Sequence, residues 1–229
     1  MAPALVDFLN PEPRTIETGC ASMLTTELSC KIGIAVLAYL LGSIPCGLVL
    51  ARVFAATDVR RSGSGNIGAT NVARVAGPWL GLATLIADAL KGWLPVYLAR
   101  SLVAPAAGAE TWATAAALLA FCGHLYPLYT RFRGGGKGVA TGLGSFILLS
   151  PWAVVGALAV FLVVFFVGRR VSAASLAAAA VLPAAVFLTG HAGVVCAGAV
   201  IVAVFIFLRH AENIRRLRAG TEPEFRMPR

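Results

Sequence analysis

The sequence predicts an all-α membrane protein with seven transmembrane helices, its N-terminus outside the cell and its C-terminus in the cytoplasm. Of its 229 residues, 59% are hydrophobic and only 13% are charged. Soluble domains have about 45–50% apolar and about 25% charged residues, so the excess apolar surface is expected to face lipid. Residues 31–229 are predicted to form one membrane domain, and the mixed residues 1–30 a loosely ordered extension.

Seven apolar runs supply the predicted helices, and the fourth and fifth share one uninterrupted stretch. The runs cover residues 32–54, 77–99, 111–129, 138–150, 151–167, 172–189 and 192–208. As one helix, residues 138–167 would be about 45 Å long, well beyond the roughly 30 Å hydrocarbon core of a bilayer. The pair Ser150-Pro151 offers a break within this stretch.

The distribution of positive charge decides between one helix and two in this stretch, because basic residues are enriched in cytoplasmic loops. With seven helices, 15 of the 19 Lys and Arg residues lie inside, three lie outside, and Lys91 lies within a helix. With one long helix, 7 lie inside and 11 outside. Seven helices are therefore predicted, and they place every glycine-rich and asparagine-rich loop on the inner side.

The first inner loop, residues 61–74, has the composition of an anion-binding segment. Closely spaced glycines allow the backbone to approach a ligand, and short polar side chains stand beside them at Ser64, Asn66, Thr70 and Asn71. Arg74 adds a charge that can bind phosphate through two parallel hydrogen bonds. A flexible solvated linker is the alternative, but it would not require these side chains.

The second inner loop, residues 131–141, enters an apolar run through Gly134-Gly135-Gly136-Lys137-Gly138. A glycine loop at a helix N-terminus favours anions, because free N–H groups and the helix dipole point at the ligand. It is not a nucleotide-binding P-loop, since Gly138 stands where such loops carry Ser or Thr. Taken alone, a basic turn that only orients the protein in the membrane explains the loop equally well.

Two further inner segments carry candidate side chains. His210 and Asn213 would share one face of a helix at a spacing of three, with a basic tail attracted to anionic lipid as the alternative. Ser172 and Ser175 follow two arginines at the inner end of the sixth helix, where helix capping is the alternative to substrate binding.

Three ionisable residues lie within or near the ends of apolar runs. Asp88 and Lys91 are three residues apart, and a buried charge in a bilayer is costly unless it is paired. A structural ion pair at about mid-depth therefore explains them at least as well as a catalytic role. His124 is interpreted as a packing residue rather than a ligand.

Other site classes find little support in the sequence. The five cysteines form no CxxC pair, so neither a metal site nor a disulfide framework is predicted. The net charge of +9 comes from basic residues between apolar runs rather than along a soluble face, so no nucleic-acid partner is predicted.

Taken together, these segments resemble the PlsY family, the acyl-phosphate-dependent glycerol-3-phosphate acyltransferases of bacteria. The matching pieces occur in family order, cover about residues 34–224, and are specific as a set. They are Gly42-Ser43-Ile44-Pro45, Gly63-Ser64-Gly65-Asn66-Ile67-Gly68-Ala69-Thr70-Asn71, Asp88-Ala89-Leu90-Lys91-Gly92, Gly123-His124 with Gly135-Gly136-Lys137-Gly138-Val139-Ala140-Thr141, and His210-Ala211-Glu212-Asn213-Ile214 with Gly220-Thr221-Glu222. Arg133 and an extra Gly134 depart from the family pattern.

The resemblance implies an enzyme of the bacterial cytoplasmic (inner) membrane with its active site on the cytoplasmic face. It would transfer a fatty acyl group from acyl phosphate to the 1-hydroxyl of glycerol 3-phosphate, giving lysophosphatidic acid and phosphate. This is the first step of phospholipid synthesis. The enzyme would contact membrane lipid and use neither a cofactor nor an evident obligate protein partner.

By motif position, the resemblance also implies which residues act. His210, Asn213, Lys137 and Arg74 would take part in catalysis. The base stays open between His210 and a phosphate oxygen of the donor, the second being the route that the family is thought to favour. The implied substrate contacts are Ser64, Gly65, Asn66, Thr70, Asn71, Arg74, Gly135, Gly136, Lys137, Gly138, Ser172, Ser175, His210 and Asn213.

Rival functions are less consistent with the sequence. A transporter for a phosphorylated metabolite should show inverted repeats with broken helices at mid-membrane, and no such repeat is found. A CDP-alcohol phosphotransferase would need clustered aspartates for a metal. A soluble-type acyltransferase would carry His and Asp five residues apart, and that spacing is absent. A purely structural role in the membrane would not explain why the inner loops have the composition of anion-binding segments.

Overall fold

The computed structural model describes residues 13–103, 108–191 and 193–225, with side chains from Thr25 onward, and every regular element among these residues is helical. The prediction of an all-α fold is therefore confirmed. Two short 3₁₀ helices, Val59–Arg61 and Leu128–Thr130, lie in the loops after α2 and α5. The α-helices are α1 Pro13–Ser43, α2 Cys46–Ala55, α3 Ala69–Ala76, α4 Pro78–Leu102, α5 Ala109–Leu125, α6 Val139–Leu149, α7 Pro151–Gly168, α8 Val171–Leu188, α9 Val194–Arg209 and α10 Ala211–Arg218.

Proline breaks two of the apolar runs. The long stretch ends its first helix at Leu149 and begins the next at Pro151, as predicted. The first run, predicted as one helix over residues 32–54, is instead split between α1 and α2. Pro45 has no N–H to donate and disfavours helical geometry at the residue before it. At this break the carbonyl oxygen of Ile44 accepts two hydrogen bonds, one from the Cys46 N–H at 2.9 Å and one from Lys91 Nζ at 2.7 Å.

The segment before the first apolar run is helical from Pro13 onward, and the division into an extension over residues 1–30 and a membrane domain over residues 31–229 stays a prediction. Residues 13–30 are the first part of α1. Pro13 stands at the first helical position, where its fixed φ suits a helix and its missing N–H would have had no partner. Lys31 forms an ion pair with Glu27 one turn earlier. Residues 1–12 lie outside the described residues.

The helices have the length and surface of an integral membrane protein. Within the described residues, Thr25–Ser43, α4, α7 and α8 are long and apolar enough to cross a bilayer, and α9 with α10 would make a fifth span bent by 61°. Large apolar side chains stand exposed on the outer faces, with Phe166 75% and Val167 85% accessible. Such surfaces are expected to contact lipid. The number of seven spans and their orientation stay predictions.

Close helix packing places the inner loops. The backbones of α4 and α6 approach so closely that a Cβ added to Gly92 would lie 2.1 Å from the Thr141 carbonyl oxygen, and one on Gly144 would lie 1.9 Å from that of Ala89. Small residues permit this approach between membrane helices. On the other side of α6, helices α7, α8 and α9 pack in sequence. The cavity described next opens between these two groups of helices.

Candidate active site

One cavity of about 650 Å³ joins the inner loops to the helix bundle. Small-molecule sites are about 300–1,000 Å³, so this volume suits a ligand. One end is polar and lies among the loops. The other is an apolar arm between α6, α7, α8 and α9, lined by Phe146, Val154, Ala157, Leu158, Phe161, Ala178, Ala179, Leu182, Val202 and Ile206. The shape fits a molecule with a charged head and an aliphatic tail.

The polar end brings together side chains from four separate stretches of the sequence. Eleven of the fourteen residues predicted to contact substrate line this cavity, although they are spread over residues 64–213. They are Ser64, Asn66, Thr70, Asn71, Arg74, Lys137, Gly138, Ser172, Ser175, His210 and Asn213.

Three helix N-termini line the same polar end. The first turns of α3, α6 and α8 contribute Thr70, Val139 and Ser172 to the cavity wall. The first N–H groups of a helix have no partner within the helix, and the helix dipole adds partial positive charge there. Gly138 caps α6 in a left-handed conformation with φ of 80°, which glycine adopts readily. These ends favour bound anions.

A chain of hydrogen bonds links the second loop to the C-terminal segment. Lys137 Nζ donates to Asn213 Oδ1 at 2.6 Å, and Asn213 Nδ2 donates to Glu222 Oε1 at 2.6 Å. Ser172 Oγ donates to the same carboxylate oxygen at 2.6 Å. Arg216 Nε donates to Glu222 Oε2 at 2.7 Å. The carboxylate of Glu222 therefore gathers donors from α8 and α10 at the cavity.

These surroundings shift the titration of the charged groups. Burial lowers the pKa of Lys137 to about 8, with Glu222 opposing the change and Arg216 and Arg74 adding to it. Burial works to raise the pKa of Glu222, but the hydrogen bonds from Ser172, Arg216 and Asn213 outweigh it and leave that pKa below its ordinary value. The site therefore holds a lysine that titrates near neutral pH beside a firmly ionised carboxylate.

His210 is held in one tautomer. Its Nδ1 lies 2.8 Å from the carbonyl oxygen of Ile206, so Nδ1 carries the proton and Nε2 keeps a lone pair. Burial and the charge of Lys137 lower the pKa of His210 to about 4, so the ring is neutral at physiological pH. A neutral imidazole at the cavity wall can accept a hydrogen bond but is a weak base.

Asn71 organises the first loop from within. It is 2% exposed, and its Nδ2 donates to the carbonyls of Val59, Ser62 and Asn66 at 2.9, 3.1 and 2.9 Å. Its Oδ1 accepts from the Ser64 N–H at 2.8 Å. Because these bonds occupy the amide, Asn71 shapes the loop, and its contact with substrate stays a prediction.

Three glycines predicted to contact substrate lie outside the cavity wall: Gly65, Gly135 and Gly136. The carbonyls of Gly135 and Gly136 instead accept hydrogen bonds from Arg209, at 2.7 and 3.1 Å. Gly65 has a φ of 69° and closes the turn of the first loop. Their lack of side chains allows this backbone geometry, and their contact with substrate stays a prediction.

Sequence reasoning missed four polar residues of the cavity wall: Asp88, His124, Arg216 and Glu222. Glu222 carried a usable signal, since it ends the matched segment Gly220-Thr221-Glu222. Asp88 and His124 were assigned to structure because their positions lie in apolar runs. Among the described residues, no group of three or more His, Cys, Asp or Glu side chains is arranged to hold a metal ion.

Comparisons with known proteins bear on this site. The family model described as glycerol-3-phosphate acyltransferase matches residues 32–220. A glycerol-3-phosphate acyltransferase of Geotalea daltonii is 49% identical over 89% of this chain and 100% of its own length. The enzyme of the same name from Syntrophotalea carbinolica is 50% identical over 82% of this chain and 94% of its own.

Solved structures show the same architecture. A crystal structure of PlsY (YgiH), described as an integral membrane glycerol 3-phosphate acyltransferase in its glycerol 3-phosphate form, is 37% identical with a TM-score of 0.80. It matches 86% of this chain and 96% of its own. A second, in the lysophosphatidic acid form, is 35% identical over the same shares, with a TM-score of 0.76.

Proposed function

Because the chain belongs to the glycerol-3-phosphate acyltransferase family, we propose that it transfers a fatty acyl group from acyl phosphate to the 1-hydroxyl of glycerol 3-phosphate. The products are lysophosphatidic acid and phosphate, and the reaction is the first acylation of phospholipid synthesis. The observation that carries the proposal is the cavity itself, whose cationic end holds Arg74 and Lys137 while its other end is an apolar arm.

Each part of the cavity suits one part of the substrates. Lys137 and the N-terminus of α6 hold the phosphate of glycerol 3-phosphate, and Arg74 and the N-terminus of α3 hold the phosphate of the acyl donor. The acyl chain lies in the apolar arm. Ser64, Asn66, Thr70 and Ser175 add hydrogen bonds at the polar end. Holding both reactants in register can lower the barrier by about 7–11 kcal/mol.

The chemistry then needs little beyond positioning. The 1-hydroxyl oxygen attacks the acyl carbonyl carbon, the bond from that carbon to the phosphate oxygen breaks, and phosphate leaves. His210, neutral and weakly basic, accepts a hydrogen bond from the hydroxyl and orients it. An oxygen of the departing phosphate takes the proton. Asn213 directs Lys137 toward the phosphates.

The same proposal covers location and topology. Seven helices cross the bacterial cytoplasmic membrane, with the N-terminus outside and the C-terminus and active site facing the cytoplasm. The distribution of basic residues supports this orientation, with 15 of 19 on the inner side. Helices α6 and α7 together leave the inner side and return to it, because the loop before α6 and the loop after α7 both lie inside.

The test is transfer of labelled acyl groups to glycerol 3-phosphate by purified protein, with acyl phosphate and acyl-CoA compared as donors. We expect product from acyl phosphate alone, and a loss of about 100-fold or more in kcat/KM for Lys137→Ala and for Arg74→Ala. Arg218→Ala, at an exposed tail position, is the matched control and should keep full activity. Absence of product from folded protein with either donor would overturn the proposal.

A further inference from the structure

Three ionisable side chains form a buried cluster in the bundle, and neither of the two proposed phosphate-binding groups includes them. Asp88 Oδ1 lies 2.9 Å from Lys91 Nζ and 3.7 Å from His124 Nδ1, and all three side chains are at most 5% exposed. The Lys91 ammonium is within hydrogen-bonding distance of Asp88 Oδ1, whereas His124 Nδ1 completes no hydrogen bond with the described residues. Asp88 and His124 both line the cavity.

His124 connects this cluster to the glycine loop. The Gly136 N–H donates to the His124 carbonyl oxygen at 3.1 Å. A Cβ on Gly136 would lie 2.0 Å from His124 Nε2, so the imidazole lies directly against the loop backbone. Arg209 holds the carbonyls of Gly135 and Gly136. The backbone immediately before Lys137 is therefore fixed by two independent sets of contacts.

Lys91 anchors the other end of the cluster. Its Nζ donates to the Ile44 carbonyl oxygen at 2.7 Å, at the proline break between α1 and α2. Contacts thus run without interruption from this break through Lys91, Asp88 and His124 to Gly136. The path ends one residue before the lysine that meets substrate phosphate.

Stability alone does not account for such a cluster. Charges inside a bilayer are costly even when paired, and replacing a buried ion pair by apolar residues of similar size is often neutral or stabilising. A buried ion pair is therefore weak evidence of a purely stabilising role. A role in the site explains why these charges are there.

We propose that Asp88, Lys91 and His124 are positioning residues that set the backbone of Gly136 and thereby place the Lys137 ammonium for substrate phosphate. The inference rests on the proposed acyltransferase function and adds a specific source of its precision. Asp88 holds the imidazole against the loop, and Lys91 holds Asp88 while tying both to the break after α1. Because the loop is already ordered, Lys137 can bind phosphate without first ordering it.

The first test is the double variant Asp88→Leu/Lys91→Met, which removes both charges together and leaves no unpaired ion. We expect the KM for glycerol 3-phosphate to rise about tenfold or more, with kcat changed by less than about threefold and the thermal midpoint nearly unchanged. The matched control is Glu27→Leu/Lys31→Met, which removes an ion pair of α1 and should leave KM unchanged.

A second variant keeps the test decisive if the double variant does not fold. His124→Leu leaves the Asp88–Lys91 pair intact and should raise the same KM. Calorimetry should show that glycerol 3-phosphate binds more weakly, and to the same extent, in both variants when acyl phosphate is absent. Unchanged KM and binding in a folded variant would overturn the inference, whereas wild-type protein that binds glycerol 3-phosphate but transfers no acyl group would overturn only the proposed function.

Discussion

At the scale of single residues, the orientation of Lys137 depends on a carboxylate that lies 85 positions later in the chain. Glu222 only accepts hydrogen bonds, so the amide of Asn213 must turn its Nδ2 toward it. This leaves Asn213 Oδ1 facing Lys137, which only donates. The position of the lysine ammonium is thus set through one amide whose two ends have different partners.

The lowered pKa of Lys137 predicts how the binding of glycerol 3-phosphate changes with pH. The ammonium is charged below its pKa of about 8 and loses its charge above it. A phosphate monoester gains its second negative charge above about pH 6. Attraction is therefore greatest between these values. We expect kcat/KM for glycerol 3-phosphate, measured by initial rates, to fall about tenfold per pH unit well above pH 8.

The variant Lys137→Arg identifies the group responsible for that alkaline fall. Arginine keeps its charge to about pH 12 or higher, so the alkaline limb should disappear even if the level of activity is lower. His210, with a pKa of about 4, stays neutral over the measured range and should contribute no limb. An alkaline limb that persists unchanged in Lys137→Arg would contradict the assignment.

At the scale of helices, small residues line part of the apolar arm. Ala157 of α7 and Ala178 and Ala179 of α8 line it, and α7 packs directly on α8. Small side chains at this contact leave room that larger ones would fill. We therefore expect the length of the arm to limit the length of the acyl chain, and the side chain at position 157 to set part of that length.

Ala157→Phe is expected to shorten the arm and change the chain-length preference. Each methylene that can no longer be buried costs about 0.8 kcal/mol, so excluding a few of them lowers kcat/KM for hexadecanoyl phosphate by about tenfold or more. Octanoyl phosphate should be affected much less. Val155→Phe, which faces outward at 56% exposure, is the matched control and should leave both rates unchanged. Equal losses of kcat/KM for both donors would contradict a role of the arm in selecting chain length.

At the scale of the whole molecule, features that depend on local sequence were predictable, whereas most features that depend on tertiary contacts were not. The break at Ser150-Pro151 was predictable because one helix would have exceeded the bilayer thickness. The break before Pro45 was not predicted, because the apolar run over residues 32–54 has a length that suits one span, and the hydrogen bond from Lys91 to Ile44 comes from another helix. The loops that carry Arg74 and Lys137 were predictable from composition. The roles of Glu222, Arg209 and Asn71 were not, because each depends on partners distant in sequence.

Topology is the prediction that concerns the whole chain, because a wrong number of spans reverses the side of every later loop. With seven spans, the loop at residues 169–170 and the C-terminus both lie inside, and the turn near Gly190 lies outside. A fluorescent protein that matures only in the cytoplasm should glow when fused after Arg170 or Arg229. Alkaline phosphatase, active only outside, should be active when fused after Gly190.

A single long helix over residues 138–167 would give the opposite result at all three sites. It would also place Ser172 and His210 on the opposite side of the membrane from Lys137, so these residues could not line one cavity. Fusions after Arg133 are the internal control, since both arrangements place that loop inside.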